Sequence, residues 1–143
     1  MTHPVRAAIE AGDIDAAALR ATASELREQS WRLQHDRGID HIPCGDFSLY
    51  DHVLDTACMV GAVPDRYRAT DGTIDLDMYF AMARGGRLRD SNVTALEMTK
   101  WFDTNYHYLV PELRVDQDFE VTSTKVVDEY KHATSMGVST RPV

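Results

Sequence analysis

Leu19, Ala23, Leu26, Ser30 and Leu33 follow one another at three- and four-residue steps, which puts apolar or small side chains on a single helical face. Asp13 or Asp15 supplies the N-cap and Gly38 the stop, so a long amphipathic helix is predicted between them. A shorter helix, about Pro4 to Ala11, precedes it across Gly12-Asp13. The run Ile39-Asp40-His41-Ile42-Pro43-Cys44 is short, β-branched and bounded by glycines; it reads as a buried strand that ends in the polar loop Gly45-Asp46-Phe47. Ser48 with Asp51 three residues on forms a capping-box-like start to a helix whose Tyr50, Val53, Leu54, Ala57 and Cys58 share a stripe.

From Gly61 to Thr73 the chain is turn-rich, and Asp75 then caps a short helix with Leu76, Tyr79, Phe80 and Ala83 on one face. Arg84 to Asn92 reads as loop. Between Thr94 and Phe102 the side chains alternate, with Leu96, Met98, Lys100 and Phe102 on one parity, as in a strand. The polar and aromatic stretch Asp103 to Tyr108, closed by Pro111, has weak propensity for either regular structure and reads as a functional loop. A last helix capped near Ser123, carrying Val126, Val127, Tyr130 and Ala133, ends at Gly137, and Val138 to Val143 opens another strand. Helices and strands in this order predict an α/β fold with parallel strands. A closed eight-unit barrel takes about 250 residues, so 143 residues that neither open with a strand nor finish the last one are expected to form part of a larger architecture.

Composition narrows the function. Fifteen Lys+Arg against 23 Asp+Glu give a net charge of −8, with no basic cluster, so no nucleic-acid partner is expected and any anionic ligand must meet a local cation. The longest apolar stretch, Ala57 to Val63, is far too short for a bilayer, and Met1-Thr2-His3-Pro4 lacks a secretory core; no membrane partner and a cytoplasmic location are expected. Two cysteines, Cys44 and Cys58, make no zinc framework, and His3, His35, His41, His52, His107 and His132 never fall in H-E-x-x-H spacing, so no metal is expected within this chain. Nor is there a G-x-G-x-x-G, P-loop or G-x-S-x-G.

Three stretches carry a resemblance: Ile39-Asp40 through Ile42-Pro43 followed by Gly45-Asp46-Phe47-Ser48-Leu49-Tyr50-Asp51-His52-Val53-Leu54-Asp55; Tyr79-Phe80-Ala81-Met82-Ala83-Arg84-Gly85; and Glu97-Met98-Thr99-Lys100-Trp101-Phe102-Asp103-Thr104-Asn105-Tyr106-His107-Tyr108-Leu109-Val110-Pro111-Glu112. They resemble the N-terminal barrel of cobalamin-independent methionine synthase, and weaker similarity runs from about Ala16 to Val143. The resemblance implies that the whole chain is one incomplete portion of a (βα)8 TIM barrel, with parallel strands and flanking helices, whose first strand and later βα units lie outside these residues. It implies an enzyme of two barrels that moves a methyl group from 5-methyltetrahydrofolate polyglutamate to homocysteine, forming methionine. Zinc belongs to the other, C-terminal barrel. The family's Gly-Phe-Pro-Arg-Ile-Gly strand and following Arg-Glu-Leu-Lys do not occur before Val5, and the zinc-ligand motifs are absent, so catalysis by this chain alone is not expected.

By motif, Lys100 corresponds to the lysine that meets the folate glutamate tail; the alternative is a lysine neutralising Glu97 or Asp103. Trp101 reads first as a core residue, with stacking on a pterin or aminobenzoyl ring as the alternative. Asp46, Tyr50, Asp51 and His52 fall where a strand feeds a helix, the place where barrel enzymes put their chemistry. Asp46 and Tyr50 join Lys100 and Trp101 as substrate-binding candidates. Asp51 reads as a carboxylate at a helix N-terminus and His52 as a half-buried imidazole. Asp103, Asn105 and His107 suit holding loops or facing the partner barrel rather than proton transfer. Two other functions stay open: a non-catalytic remnant or interaction module that self-associates through exposed strand edges into a homo-oligomer, and an acid/base enzyme using Asp46, Asp51, His52 or His107.

Overall fold

A computed structural model describes residues 15–143, and the expected helix from Pro4 to Ala11 lies outside them. In chain order the elements are α1 (Ala16–Asp36), β1 (Ile42–Cys44), α2 (His52–Met59), α3 (Leu76–Arg84), β2 (Gly86–Leu88), β3 (Ser91–Val93), β4 (Met98–Lys100), β5 (His107–Leu109), α4 (Lys125–Ser135) and β6 (Thr140–Pro142). They divide into two compact units: residues 15–49 with 125–143, and residues 50–124.

In the first unit Asp15 caps α1, accepting the Ala18 N–H at 2.8 Å, and Gly38 at φ +76° ends it, as the local sequence dictates. The buried face differs from the predicted stripe. Leu19 and Ala23 are inside, but Leu33 is exposed and Trp31, 2% exposed, takes the seat. The row at four-residue spacing from Leu19 through Ala23 to Trp31 faces inward, because an indole buries more apolar area than a leucine can. Trp31 packs with Ile42, Cys44, Ala133 and Val138; its Nε1–H donates to the Pro43 carbonyl at 3.2 Å, and its ring meets the His132 ring edge-on. β1 and β6 pair in parallel, Ile42 opposite Thr140 and Cys44 opposite Pro142, so the strand foreseen after Val138 forms. On α4 the expected stripe holds at Ala133 only in part: Val127 and Tyr130 are exposed, while Glu129 is buried against Arg27 at 3.6 Å and Lys125 at 3.2 Å.

In the second unit the cap of α2 is Asp51 itself rather than Ser48. Its carboxylate accepts the Leu54 N–H at 2.8 Å, and its extended backbone starts the helix three residues later than a Ser48 cap would. Leu54, Ala57 and Cys58 are buried. Asp75 caps α3 by accepting the Met78 N–H at 2.7 Å, and Met78, Tyr79, Ala81, Met82 and Ala83 face inward.

Two strand expectations are corrected here. Arg84 to Asn92, read as loop, holds the antiparallel hairpin β2–β3, Gly86 opposite Val93, with Arg89 at φ +53° in its turn. Its residues are mostly polar, and Leu88 alone is buried, so no alternation announces it. Gly85 permits its start: a Cβ there would lie 2.9 Å from the Ala95 nitrogen. The long strand from Thr94 to Phe102 shortens to β4, whose three residues are all exposed and pair antiparallel with β5, Lys100 opposite His107. A strand with no buried face gains nothing from a parallel neighbour, and Leu96 instead donates its N–H to Met82 at 2.8 Å. The described residues are a mixed α/β structure with one parallel pair and two antiparallel hairpins; no barrel closes among them.

Candidate functional site

Asp51 organises the second unit. It is 3% exposed, and three donors meet its carboxylate: the Leu54 N–H at 2.8 Å and the Leu109 N–H at 3.2 Å on Oδ2, and the Tyr106 hydroxyl at 2.6 Å on Oδ1. A buried carboxylate needs such donors, and the N-terminus of α2 adds a favourable dipole. The helix start is thereby tied to the β4–β5 hairpin. Beside it the Tyr79 hydroxyl accepts the Tyr50 N–H at 3.2 Å and the Asp51 N–H at 3.4 Å, and donates to Asp55 at 2.7 Å.

The hairpin tip is closed by its own bonds. Trp101 donates its N–H to the Tyr106 carbonyl at 2.8 Å, and the Thr104 hydroxyl donates to the Trp101 carbonyl at 2.6 Å. The Tyr106 N–H donates to the Thr104 hydroxyl oxygen at 3.2 Å. Trp101 meets Phe102 and Tyr108 edge-on, each with ring centroids 5.4 Å apart. Phe102 stands at φ +50° and is 81% exposed.

The candidates fall as follows. Lys100 is exposed on β4, and no ion pair joins it to Glu97 or Asp103 among the described residues, so the neutralising alternative is not realised. Trp101 is not core: it is 47% exposed, because it follows a strand with no packed face. These two share the hairpin. Tyr50 lies in the same unit just before α2, half-buried, and Asp46 is exposed in the other unit. There the loop after β1 is held by Lys125, which donates to the Phe47 carbonyl at 2.7 Å, and by the Arg27 guanidinium over the Phe47 ring. His52, expected half-buried, is exposed on the outer side of the first turn of α2. His107 Nδ1 lies 3.0 Å from the Asn105 carbonyl, a loop-supporting contact. Farther along the chain, Arg66 forms a forked pair with Glu112 and lies over the Tyr67 ring, so Glu112 is held below the usual carboxylate range.

The residues missed from sequence are Tyr79 and Tyr106. Both hydroxyls serve carboxylates or backbone far off in the chain, the Tyr106 bond spanning 55 positions, and nothing local marks either one. Burial of the hydroxyl, then the Asp51 hydrogen bond and charge, push Tyr106 up to about 12. An ordinary tyrosine loses its proton near pH ~10, so the folded state holds this proton more tightly than the unfolded chain does. The resulting stability is complete below about pH 10 and lost as pH climbs toward about 12. Urea midpoints measured across that range fall more steeply for the wild type than for Tyr106→Phe; equal slopes would contradict the Asp51 contact.

Cys44 and Cys58 are buried and free, one in each unit. Burial and then the Asp55 charge push Cys58 up to about 12, which keeps it a thiol at neutral pH. Among the described residues no three of His, Cys, Asp and Glu gather as metal ligands, and no helix is long and apolar enough to cross a membrane.

Residues 6–143 match the profile of the family described as cobalamin-independent synthase, N-terminal domain. A 5-methyltetrahydropteroyltriglutamate–homocysteine methyltransferase of Mesorhizobium japonicum is 56% identical over 146 residues, covering 92% of this chain and 19% of the relative. The protein of that name from Caulobacter vibrioides is 53% identical, covering 93% of this chain and 19% of its own length. That from Streptomyces coelicolor is 55% identical, covering 92% and 17%. The chain thus spans about one fifth of the length of the curated relatives it matches.

Proposed function

We propose, from the premise that this chain belongs to the cobalamin-independent synthase family and matches its N-terminal domain, that it supplies part of the folate-holding barrel of a methionine synthase. That enzyme transfers a methyl group from 5-methyltetrahydrofolate polyglutamate to homocysteine, and this portion grips the folate without performing the transfer. The observation that carries the reading is Lys100, an exposed ammonium with no ion pair among the described residues, beside the half-open Trp101 ring. On a chain of net charge −8, a string of glutamate carboxylates is repelled at long range and must be received by a local cation. Lys100 meets the tail, Trp101 offers a ring face to the aromatic part of the folate, and Tyr50, in the same unit, is a further contact.

The rest of the barrel and a zinc-bearing second barrel complete the site in this reading. No ligand set among the described residues fits zinc, so no step through the metal is assigned to this chain. A cytoplasmic location belongs to the same proposal.

The test is titration calorimetry of 5-methyltetrahydrofolate triglutamate and monoglutamate against the protein as its gene encodes it, with and without Lys100→Ala. Loss of one hydrogen-bonded charge contact, about 1.5–3 kcal/mol, weakens the triglutamate roughly 10- to 100-fold. The monoglutamate loses far less. An unchanged triglutamate affinity removes Lys100 from the site.

A further inference from the structure

We propose that Tyr106 is a positioning residue: its hydrogen bond to Asp51 fixes the direction of the β4–β5 hairpin and so sets where the Lys100 ammonium and the Trp101 ring stand. This rests on the reading of Lys100 as the cation for the folate tail. Two strands of three residues make a ribbon that is marginal in water by itself. All of β4 is exposed, and Leu109 is the buried side chain of β5. The hairpin's direction is therefore decided by few contacts.

Two of those contacts end on one carboxylate. The Leu109 N–H reaches Asp51 Oδ2 at the base of the hairpin, and the Tyr106 hydroxyl reaches Asp51 Oδ1 from beside the tip. One point of attachment leaves a ribbon free to pivot, whereas two points fix its axis. The position of Tyr106 passes directly to the candidate residues. Its carbonyl accepts the Trp101 N–H, its own N–H donates to Thr104, and the next residue, His107, sits opposite Lys100 in the ladder. Because Asp51 also caps α2, the anchor is a helix rather than another loop.

Tyr106→Phe removes one oxygen and leaves the ring, the Leu109 contact and the α2 cap in place. Two measurements are made on the protein as its gene encodes it: amide hydrogen exchange, and calorimetric affinity for methylfolate mono- and triglutamate. Exchange across 98–109 should rise about 10-fold while 52–59 stays protected, as expected for losing one hydrogen bond to a charged group. Triglutamate affinity should fall about 3- to 10-fold and monoglutamate affinity by clearly less, because the tail depends on where Lys100 stands while the part shared by both ligands meets only Trp101.

Unchanged exchange across 98–109 overturns the proposal, as does a rise that spreads into 52–59, or an equal loss for both ligands. Faster hairpin exchange with undiminished triglutamate affinity, when Lys100→Ala does weaken binding, overturns the positioning role and leaves the Lys100 reading standing. A silent Lys100→Ala overturns both, so the variant that fails to respond identifies which idea is wrong.

Discussion

Trp31→Ala lowers the unfolding free energy by about 3–5 kcal/mol, the cost of emptying a buried aromatic site. The indole is the largest side chain in a cluster whose other buried members are Ile42, Cys44, Ala133 and Val138, so no neighbour is large enough to refill the space. The loss includes the hydrogen bond from Nε1 to Pro43 and the edge-on contact with His132. Trp31→Phe keeps part of the ring volume but not the donor, and costs less. With typical domain stabilities of about 5–15 kcal/mol, the alanine change consumes a large share of the total. Urea denaturation followed by far-ultraviolet circular dichroism reads the result; a cost below about 1 kcal/mol would mean that Trp31 does not hold this core.

Asp51→Ala is the second large effect, about 2–4 kcal/mol, because one deletion strands three donors. The Leu54 N–H loses its cap, the buried Leu109 N–H loses its acceptor, and the Tyr106 hydroxyl is left beside an empty site. Asp51→Asn separates these contributions. The amide oxygen still serves the two backbone donors and the amide nitrogen can donate to Tyr106, so about half or more of the stability returns. Chemical denaturation of both variants decides the matter, and an alanine variant as stable as the wild type would show that the carboxylate is not the anchor of the hairpin.

The parts of the fold that the sequence foretold are those settled within a few residues. Asp15 and Asp75 cap helices three positions ahead, and Gly38 ends α1, because each satisfies a local geometric demand. The strands at Ile42 and after Val138 were legible from short β-branched and apolar runs, whereas their pairing with each other, Ile42 opposite Thr140, was not. What escaped was decided at a distance. Leu33 and Trp31 both suit a helix face, and only the opposing Ala133 and Ile42 choose between them. The alternation from Thr94 to Phe102 suggested a buried strand, yet among the described residues no layer covers β4. Lys100 and Trp101 were readable as a motif but not as neighbours on an open hairpin, and the second job of Asp51 depends on Leu109, 58 positions away.

The first unit is assembled from the two ends of the described chain, residues 15–49 and 125–143, with the second unit inserted between them. Thr140 caps the Ile42 carbonyl across 98 positions of sequence. During synthesis at about 5–20 residues per second, the strand holding Ile42 and Cys44 leaves the ribosome roughly 5–20 s before its partner exists. For that interval the indole of Trp31 has neither Ala133 nor Val138 to rest against. The nascent polypeptide therefore carries an unfinished, sticky segment that waits until residues 133–142 have been translated, which makes it a natural client for chaperones that shield apolar surface.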